Sequence, residues 1–428
     1  MSHSNIIILF ADFTMSDIRV CFPDRPQFSG FMKPCRVEGD VSQLEVYGEI
    51  PKEIDGVFYR VMPDPQLPPF IDNDPWFNGD GNVSAFRIKD GRASFRQRYV
   101  RTEKFVRERE AQRALIGKYR NKFTDAVEFK VRSTANTNVV YFNGQLLALK
   151  EDSPPYAMDP VTLETKGLYD FEGQLPSLTF TAHPKFDPVT GEMVCFGYEA
   201  RGDGTPDVCY YSVSPTGKFT EVVWLVAPVV AMIHDFAVTE NWNVFFWWPD
   251  AQGSAPEPSS IVSQLVRFTI DPQSEKRALS KPEILQHGNS EFYRIDDRFA
   301  TCPYRHCYFD LMDPQLGTDL ERIGPKLGGG FPLYNAVAHF DNVTGETEVY
   351  FPGDVHLVQE PVFLPRKDST TEGDGYILVL VNNYETMASE LHLLDTRDFT
   401  RAQAKILLPV RLRQGLHGSW VDGRDLNP

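Results

Sequence analysis

Nine histidines occur, at His3, His183, His234, His287, His306, His339, His356, His392 and His417, and three sit in unusual settings. Thr181-Ala182-His183-Pro184-Lys185 puts an imidazole at a strand end before a turn. Met232-Ile233-His234-Asp235-Phe236 places one inside an apolar stretch, and Gly415-Leu416-His417-Gly418-Ser419-Trp420 sets one between glycines, where backbone approaches a neighbour closely. Taken singly, each reads as a structural histidine. Taken together they suit ferrous iron, which accepts neutral imidazole ligands supplied by separate strands of a rigid scaffold. An ion held by imidazoles alone keeps its full charge, so its ligands need carboxylate partners that fix tautomer and basicity. Glu151, Glu291 and Glu360 can take that part, although spacing alone does not choose them among 59 acidic residues.

The elements that must position these groups are short strands. A local pattern recurs: Asp159-Pro-Val-Thr162-Leu-Glu164, Asp187-Pro-Val-Thr190-Gly191-Glu192, Asp271-Pro272, Asp341-Asn-Val-Thr344-Gly345-Glu346 and Asp395-Thr396, each after an apolar run. Every one reads as strand, Asp-initiated turn, strand. Such hairpins, tens of residues apart, predict an all-β sandwich or propeller. The best helical signal is Thr102 to Tyr119. Residues 1–35 read as an irregular arm, and 36–428 as a single domain.

Composition narrows the function. A chain of 428 residues, 42% hydrophobic, buries a large core as one unit. Its formal charge of −16 and lack of a basic run exclude nucleic acid as a partner. Six cysteines without a CxxC pair fit reduced thiols in the cytoplasm. Ile6 to Phe10 is apolar but has no basic residue before it, so it makes a poor signal peptide. Val222 to Ile233 is too short to span a bilayer and predicts a buried strand pair broken at Pro228.

Six segments then carry a specific resemblance. Trp76-Phe-Asn-Gly-Asp-Gly-Asn82, Thr181-Ala-His183-Pro184, Ile233-His234-Asp235-Phe236, Glu291-Phe-Tyr-Arg294-Ile-Asp296, Glu360-Pro-Val-Phe-Leu-Pro365-Arg366 and Gly415-Leu-His417-Gly418 resemble, in order, the landmarks of the carotenoid cleavage oxygenases. Gly117-Lys-Tyr119-Arg-Asn121 and Ala148-Leu-Lys150-Glu151-Asp152 resemble the fungal branch that cleaves stilbenes such as resveratrol and lignostilbene. The resemblance implies a seven-bladed β-propeller with a few helices and loops capping one face, a non-haem Fe(II) site, and O2 with a small aromatic or polyene substrate. It implies His183, His234 and His417 as metal ligands, Glu151, Glu291 and Glu360 as their carboxylate partners, and Tyr119 with Lys150 on the 4-hydroxyl of a stilbene phenol. A lysine of lowered pKa there would help remove the phenolic proton.

The family has a fourth imidazole, in a stretch resembling His-x-x-Asn-Ala-Phe-Glu between His234 and Glu291. Here Asp235-Phe-Ala-Val-Thr-Glu240-Asn241 runs directly into Trp242-Asn243-Val-Phe-Phe-Trp247-Trp248-Pro249-Asp250. The join at 241–243 reads as an internal deletion of roughly 80 residues, about two blade repeats, which predicts an incomplete ring. Three functions follow: cleavage of the central C=C bond of a hydroxylated stilbene into two phenolic aldehydes, an inactive propeller with a weakened three-histidine site, or carotenoid or apocarotenoid cleavage.

Overall fold

The computed structural model describes residues 21–426 except 73, 246–262, 272, 275–279 and 330–332. Residues 1–20 of the expected arm and the Trp247-Trp248-Pro249-Asp250 motif lie outside the described residues. The rest of the arm is more regular than expected. Pro26–Phe28 and Gly30–Met32 are 3-10 turns, pinned by the buried Arg413, which donates to the carbonyls of Gln27 (2.7 Å) and Met32 (2.6 Å).

The chain is an all-β propeller with few helices, and every strand pairing among the described residues is antiparallel. Blade one joins, in spatial order, Gly39–Val41, Arg92–Tyr99, Gly81–Lys89, Gly56–Pro63 and Gly418–Asp422. Blade two runs Asn138–Phe142, Gln145–Leu149, Tyr156–Met158, Thr165–Leu168, and blade three Lys185–Phe186, Met193–Tyr198, Asp207–Val213, Phe219–Val226. Blade four holds Asn289–Arg294, His306–Met312, Ala336–Asp341 and Thr347–Tyr350. Blade five holds His356–Pro365, Gly375–Asn383, Ala388–Asp395, Asp398–Leu407 and Glu45–Gly48. Among the described residues these five, not seven, have the four strands of a full blade. Phe236–Val238 with Asn243–Phe245, and Leu265–Arg267 with Glu283–Gln286, form two-stranded sheets. The join expected at 241–243 falls at the turn of the first pair.

Strand exchange joins blades one and five. The C-terminal strand pairs with Gly56–Pro63 in blade one, and the N-terminal Glu45–Gly48 pairs with Asp398–Leu407 in blade five, so both ends of the chain cover edges that would otherwise be exposed. The cores lie between blades. Phe58 and Phe86 of blade one pack with Leu378 and Leu391 of blade five. Leu147 of blade two packs with Cys195 and Tyr211 of blade three. The short sheets rest on their neighbours, Phe236 and Phe245 against Phe196, and Leu265 and Leu285 against Phe309. Each large apolar side chain so buried contributes about 1.5–3 kcal/mol.

Four of the five predicted turns are hairpins. Asp159, Asp187 and Asp341 each accept from the amides two and three residues on, at 2.8–3.3 Å, and Asp395 accepts from the Arg397 amide (3.0 Å). Gly191 and Gly345 supply φ of +69° and +75°. Asp271 caps the Gln273 amide (3.0 Å), in the stretch between the paired strands Leu265–Arg267 and Glu283–Gln286, part of which lies outside the described residues.

Two expectations change. The helix is Glu103–Ala111, half the predicted span: Thr102 caps it by accepting from the Phe105 amide (3.1 Å), and Gln112 stops it at φ +52°. Val222 to Ile233 is not a buried strand pair. Phe219–Val226 is the outer strand of blade three, with Val222, Trp224, Leu225 and Val226 exposed. No described helix is long and apolar enough to cross a membrane.

Candidate metal centre

Six predicted residues come from six sheets. Glu151 follows the second strand of blade two, His183 precedes blade three, and His234 precedes the first short sheet. Glu291 lies on the first strand of blade four, Glu360 on the first of blade five, and His417 precedes the last strand of blade one. His183, His234 and His417 meet: their ligating nitrogens all lie within 4.8 Å of one another, the only such histidine, cysteine or carboxylate group among the described residues. The His183 and His234 Nε2 atoms are 3.2 Å apart, and both His234 and His417 rings stand edge-on to His183 at 4.6 Å.

Carboxylates orient two of the rings. Glu360 Oε1 bonds His417 Nδ1 (2.8 Å) while Oε2 accepts from the Gly418 amide (2.8 Å). Arg294 Nε donates to the same carboxylate (3.1 Å). Glu151 bonds His234 Nδ1 and accepts from the Tyr198 hydroxyl (3.0 Å), which Arg120 also contacts. Holding Nδ1 from behind leaves Nε2 for the centre. Burial pushes the Glu360 carboxyl up, but the Arg294 charge and the His417 bond outweigh it, and the net shift is downward. Glu151 behaves likewise through His234. Burial, with the two neighbouring imidazoles adding, holds His183 well below its ordinary pKa. His183 is therefore neutral near pH 7, as a metal ligand must be.

Glu291 differs. Unlike Glu151 and Glu360 it is an exposed residue, its carboxylate has no hydrogen bond or ion pair among the described residues, and it lies outside the 4.8 Å group. Desolvation raises its pKa against the opposing charges of His417 and His234. The ladder is irregular between Glu291 and Arg294, and Phe292 adopts φ +57°, with its ring 5.5 Å from that of His417. Asp310, the register partner of Glu291, is fully buried with neither oxygen hydrogen-bonded, and burial pushes its carboxyl far up.

Tyr119 and Lys150 also meet. The buried Lys150 Nζ sits 4.9 Å from the Tyr119 ring centre and donates to Asn136 Oδ1 (3.3 Å). Asn78 donates to the Gly117 carbonyl (2.7 Å), fixing the loop that carries Tyr119. A cavity of about 730 Å³ opens beside His183, Phe236, Tyr293 and Arg294. Neither Tyr119 nor Lys150 lines it. The glycines around His417 serve packing: a Cβ on Gly415 would stand 1.7 Å from Arg60 Nη2, and one on Gly418 2.4 Å from the Tyr59 carbonyl. Sequence reasoning assigned no role to Tyr198 or Asp310, which carry no local signal. Arg120 and Arg294 lay in quoted segments without one.

The donor set fits ferrous iron: three converging imidazoles, two oriented by buried carboxylates. Comparison with known proteins adds an independent line. The family model described as retinal pigment epithelial membrane protein matches residues 32–252 and 250–422. The chain is 73% identical to resveratrol cleavage oxygenase 1 of Aspergillus fumigatus, covering 96% of this chain and 98% of that one, and the 490 aligned positions exceed the chain's own 428 residues. It is 52% identical to carotenoid cleavage oxygenase 1 of Neurospora crassa, over 93% of this chain and 91% of the other. The crystal structure of Pseudomonas brassicacearum lignostilbene dioxygenase superposes with a TM-score of 0.90 at 37% identity, covering 95% of this chain and all of that one.

Proposed function

The chain belongs to the carotenoid oxygenase family described as retinal pigment epithelial membrane protein, and on that premise we propose a non-haem Fe(II) dioxygenase that cleaves the central C=C bond of a hydroxylated stilbene. The carrying observation is the meeting of His183, His234 and His417 within 4.8 Å. The named activities of the fungal resveratrol and bacterial lignostilbene relatives support the substrate class. One alkene and one O2 give two aldehydes, with both oxygen atoms retained and no outside reductant.

His183, His234 and His417 would hold the iron, which when bound supplies the redox chemistry that lets dioxygen react with an alkene. The chain's own residues do the rest. Glu151 and Glu360 orient two imidazoles. Lys150, steadied by Asn136, and Tyr119 hold the phenol oxygen and stabilise its deprotonated form, the proton passing to solvent, which makes the ring and its attached alkene electron-rich. Lys150 lies one residue before Glu151, so the phenol grip and the metal centre share one strand end. Anaerobic loading with Fe(II), then resveratrol and air, tests the reading. Two phenolic aldehydes in equal amounts support it; a metal-loaded protein that yields neither refutes it.

We read the fold as a seven-bladed ring over 36–428 with two blades cut short. The two two-stranded sheets, the family match in two stretches and the aligned length greater than the chain support a deletion near 241–243. The unpartnered Glu291 favours a second reading, a propeller with a weakened three-histidine site and little activity; iron analysis separates the two, since tight one-to-one iron excludes the second. Carotenoid or apocarotenoid cleavage remains a third, favoured by the name of the Neurospora crassa relative, and a parallel assay on a polyene decides it. Six cysteines without a disulfide support a cytoplasmic setting.

A further inference from the structure

Tyr119 stands on a loop and Lys150 at the end of a strand, so gripping one phenol oxygen requires the two to be held at a fixed separation. One buried amide reaches both sides. Asn136 is fully buried; its Nδ2 donates to the carbonyls of Phe77 (2.8 Å) and Gly79 (2.6 Å), while its Oδ1 accepts from Lys150 Nζ (3.3 Å). The amide has a single orientation: turned over, its oxygen would face two carbonyls and its nitrogen an ammonium. Lys150 is itself buried and has no other hydrogen-bond partner among the described residues, which leaves ammonium protons for a ligand.

The carbonyls that Asn136 holds flank Asn78. The buried Asn78 side chain donates in turn to the Gly117 carbonyl (2.7 Å) and to Asp74. Gly117 lies two residues before Tyr119, and Asp125 braces its loop by accepting from the Gly117 amide (2.6 Å). A Cβ on Gly117 would stand 2.3 Å from the Thr124 carbonyl, so the loop has room for glycine alone there. The bonds run from Lys150 through Asn136 and Asn78 to the Tyr119 loop, and the two ends meet, with Nζ 4.9 Å from the Tyr119 ring centre. Asn136 is placed by an uncommon turn. Ala135 before it is fully buried at φ +45°, and left-handed backbone outside glycine persists only where surrounding structure imposes it.

From this geometry we propose that Asn136 is the positioning residue of the phenol grip: one amide places Lys150 directly and Tyr119 through Asn78, and so sets the preference for a stilbene with a hydroxyl para to the alkene. Both groups must reach one oxygen at once, and a misplacement of about 1 Å at either loses most of the hold. The inference rests on the phenol reading above.

The probes are resveratrol and 3,5-dihydroxystilbene, whose second ring carries no hydroxyl. Dissociation constants are measured anaerobically on the iron-loaded full-length chain by fluorescence quenching, with iron content taken on each sample. The native chain should bind resveratrol about tenfold or more tightly, as a hydrogen bond to a charged donor implies. In Asn136→Ala that preference should shrink to within about twofold, because resveratrol binding weakens while iron content and binding of the dihydroxy compound hold. A variant that keeps the native preference overturns the proposal, as does one that weakens both stilbenes alike, the mark of a merely structural role. A crystal structure of the native chain with resveratrol needs no variant: Lys150 Nζ should touch the phenol oxygen while still bonded to Asn136, and a lysine that leaves Asn136 on binding also overturns it. A native chain that binds the two stilbenes equally strikes instead at the phenol reading itself.

Discussion

The substitution Glu360→Gln keeps the shape of the side chain and removes its charge. In the native chain this carboxylate serves three donors: His417 Nδ1 (2.8 Å), the Gly418 amide (2.8 Å) and Arg294 Nε (3.1 Å). It is 6% exposed and the Arg294 side chain 24%. A glutamine oxygen can serve part of that set, while its amide nitrogen confronts donors. Two effects follow. The His417 ring loses the anion that fixes its tautomer, which costs about 10- to 100-fold in metal affinity, or ~1.4–2.7 kcal/mol. The apoprotein is left with a half-buried guanidinium short of its partner, which costs about 3 kcal/mol, discounted toward 2 for the exposure of Arg294. Competition titration of Co(II) against a chelator measures the first effect, and urea unfolding of the apoprotein the second. A folded Glu360→Gln protein whose metal affinity matches the native chain within about twofold would refute the orienting role of Glu360.

Three other perturbations test separate parts of the structure. His183→Ala should abolish one-to-one metal binding, because it removes the ring that both other imidazoles abut; elemental analysis checks it, and undiminished metal content would show His183 to be structural. Lys150→Met should lower turnover of resveratrol about 100-fold with metal content unchanged, read by aldehyde release and metal analysis on the same preparation. Asp74 supplies a pH test, since burial raises its carboxyl to about 6 against the lowering bond from Asn78. The native state therefore holds this proton more tightly than the unfolded chain, and stability should fall as pH rises from about 4 toward 6. Asp74→Asn should flatten that slope by about 1–2 kcal/mol in urea midpoints taken across this range, and an unchanged slope would place the titration elsewhere.

What could be read along the chain was what the chain settles locally. The turns at Asp159, Asp187, Asp341 and Asp395 are legible because six or fewer residues carry the whole device: an aspartate oxygen two or three residues from the amides it caps, and glycine where φ is positive. The helix start at Thr102 is legible for the same reason, but its end is not, because Gln112 in the left-handed region carries no marker in the sequence. Which histidines matter was legible only through ordered motifs. Their settings singled out His183, His234 and His417 but did not tell a ligand from a structural histidine.

Tertiary structure decided the rest, because the decisive contacts join distant parts of the chain. His234 meets Glu151 across 83 positions and His417 meets Glu360 across 57. Tyr198 and Arg294, which complete those pairs, become partners only when blades stand side by side around one axis. The solitary state of Glu291 is of the same kind: a carboxylate looks alike in sequence whether or not an imidazole faces it. Only the folded chain brings Glu151 and Glu360, and not Glu291, to an imidazole among the described residues.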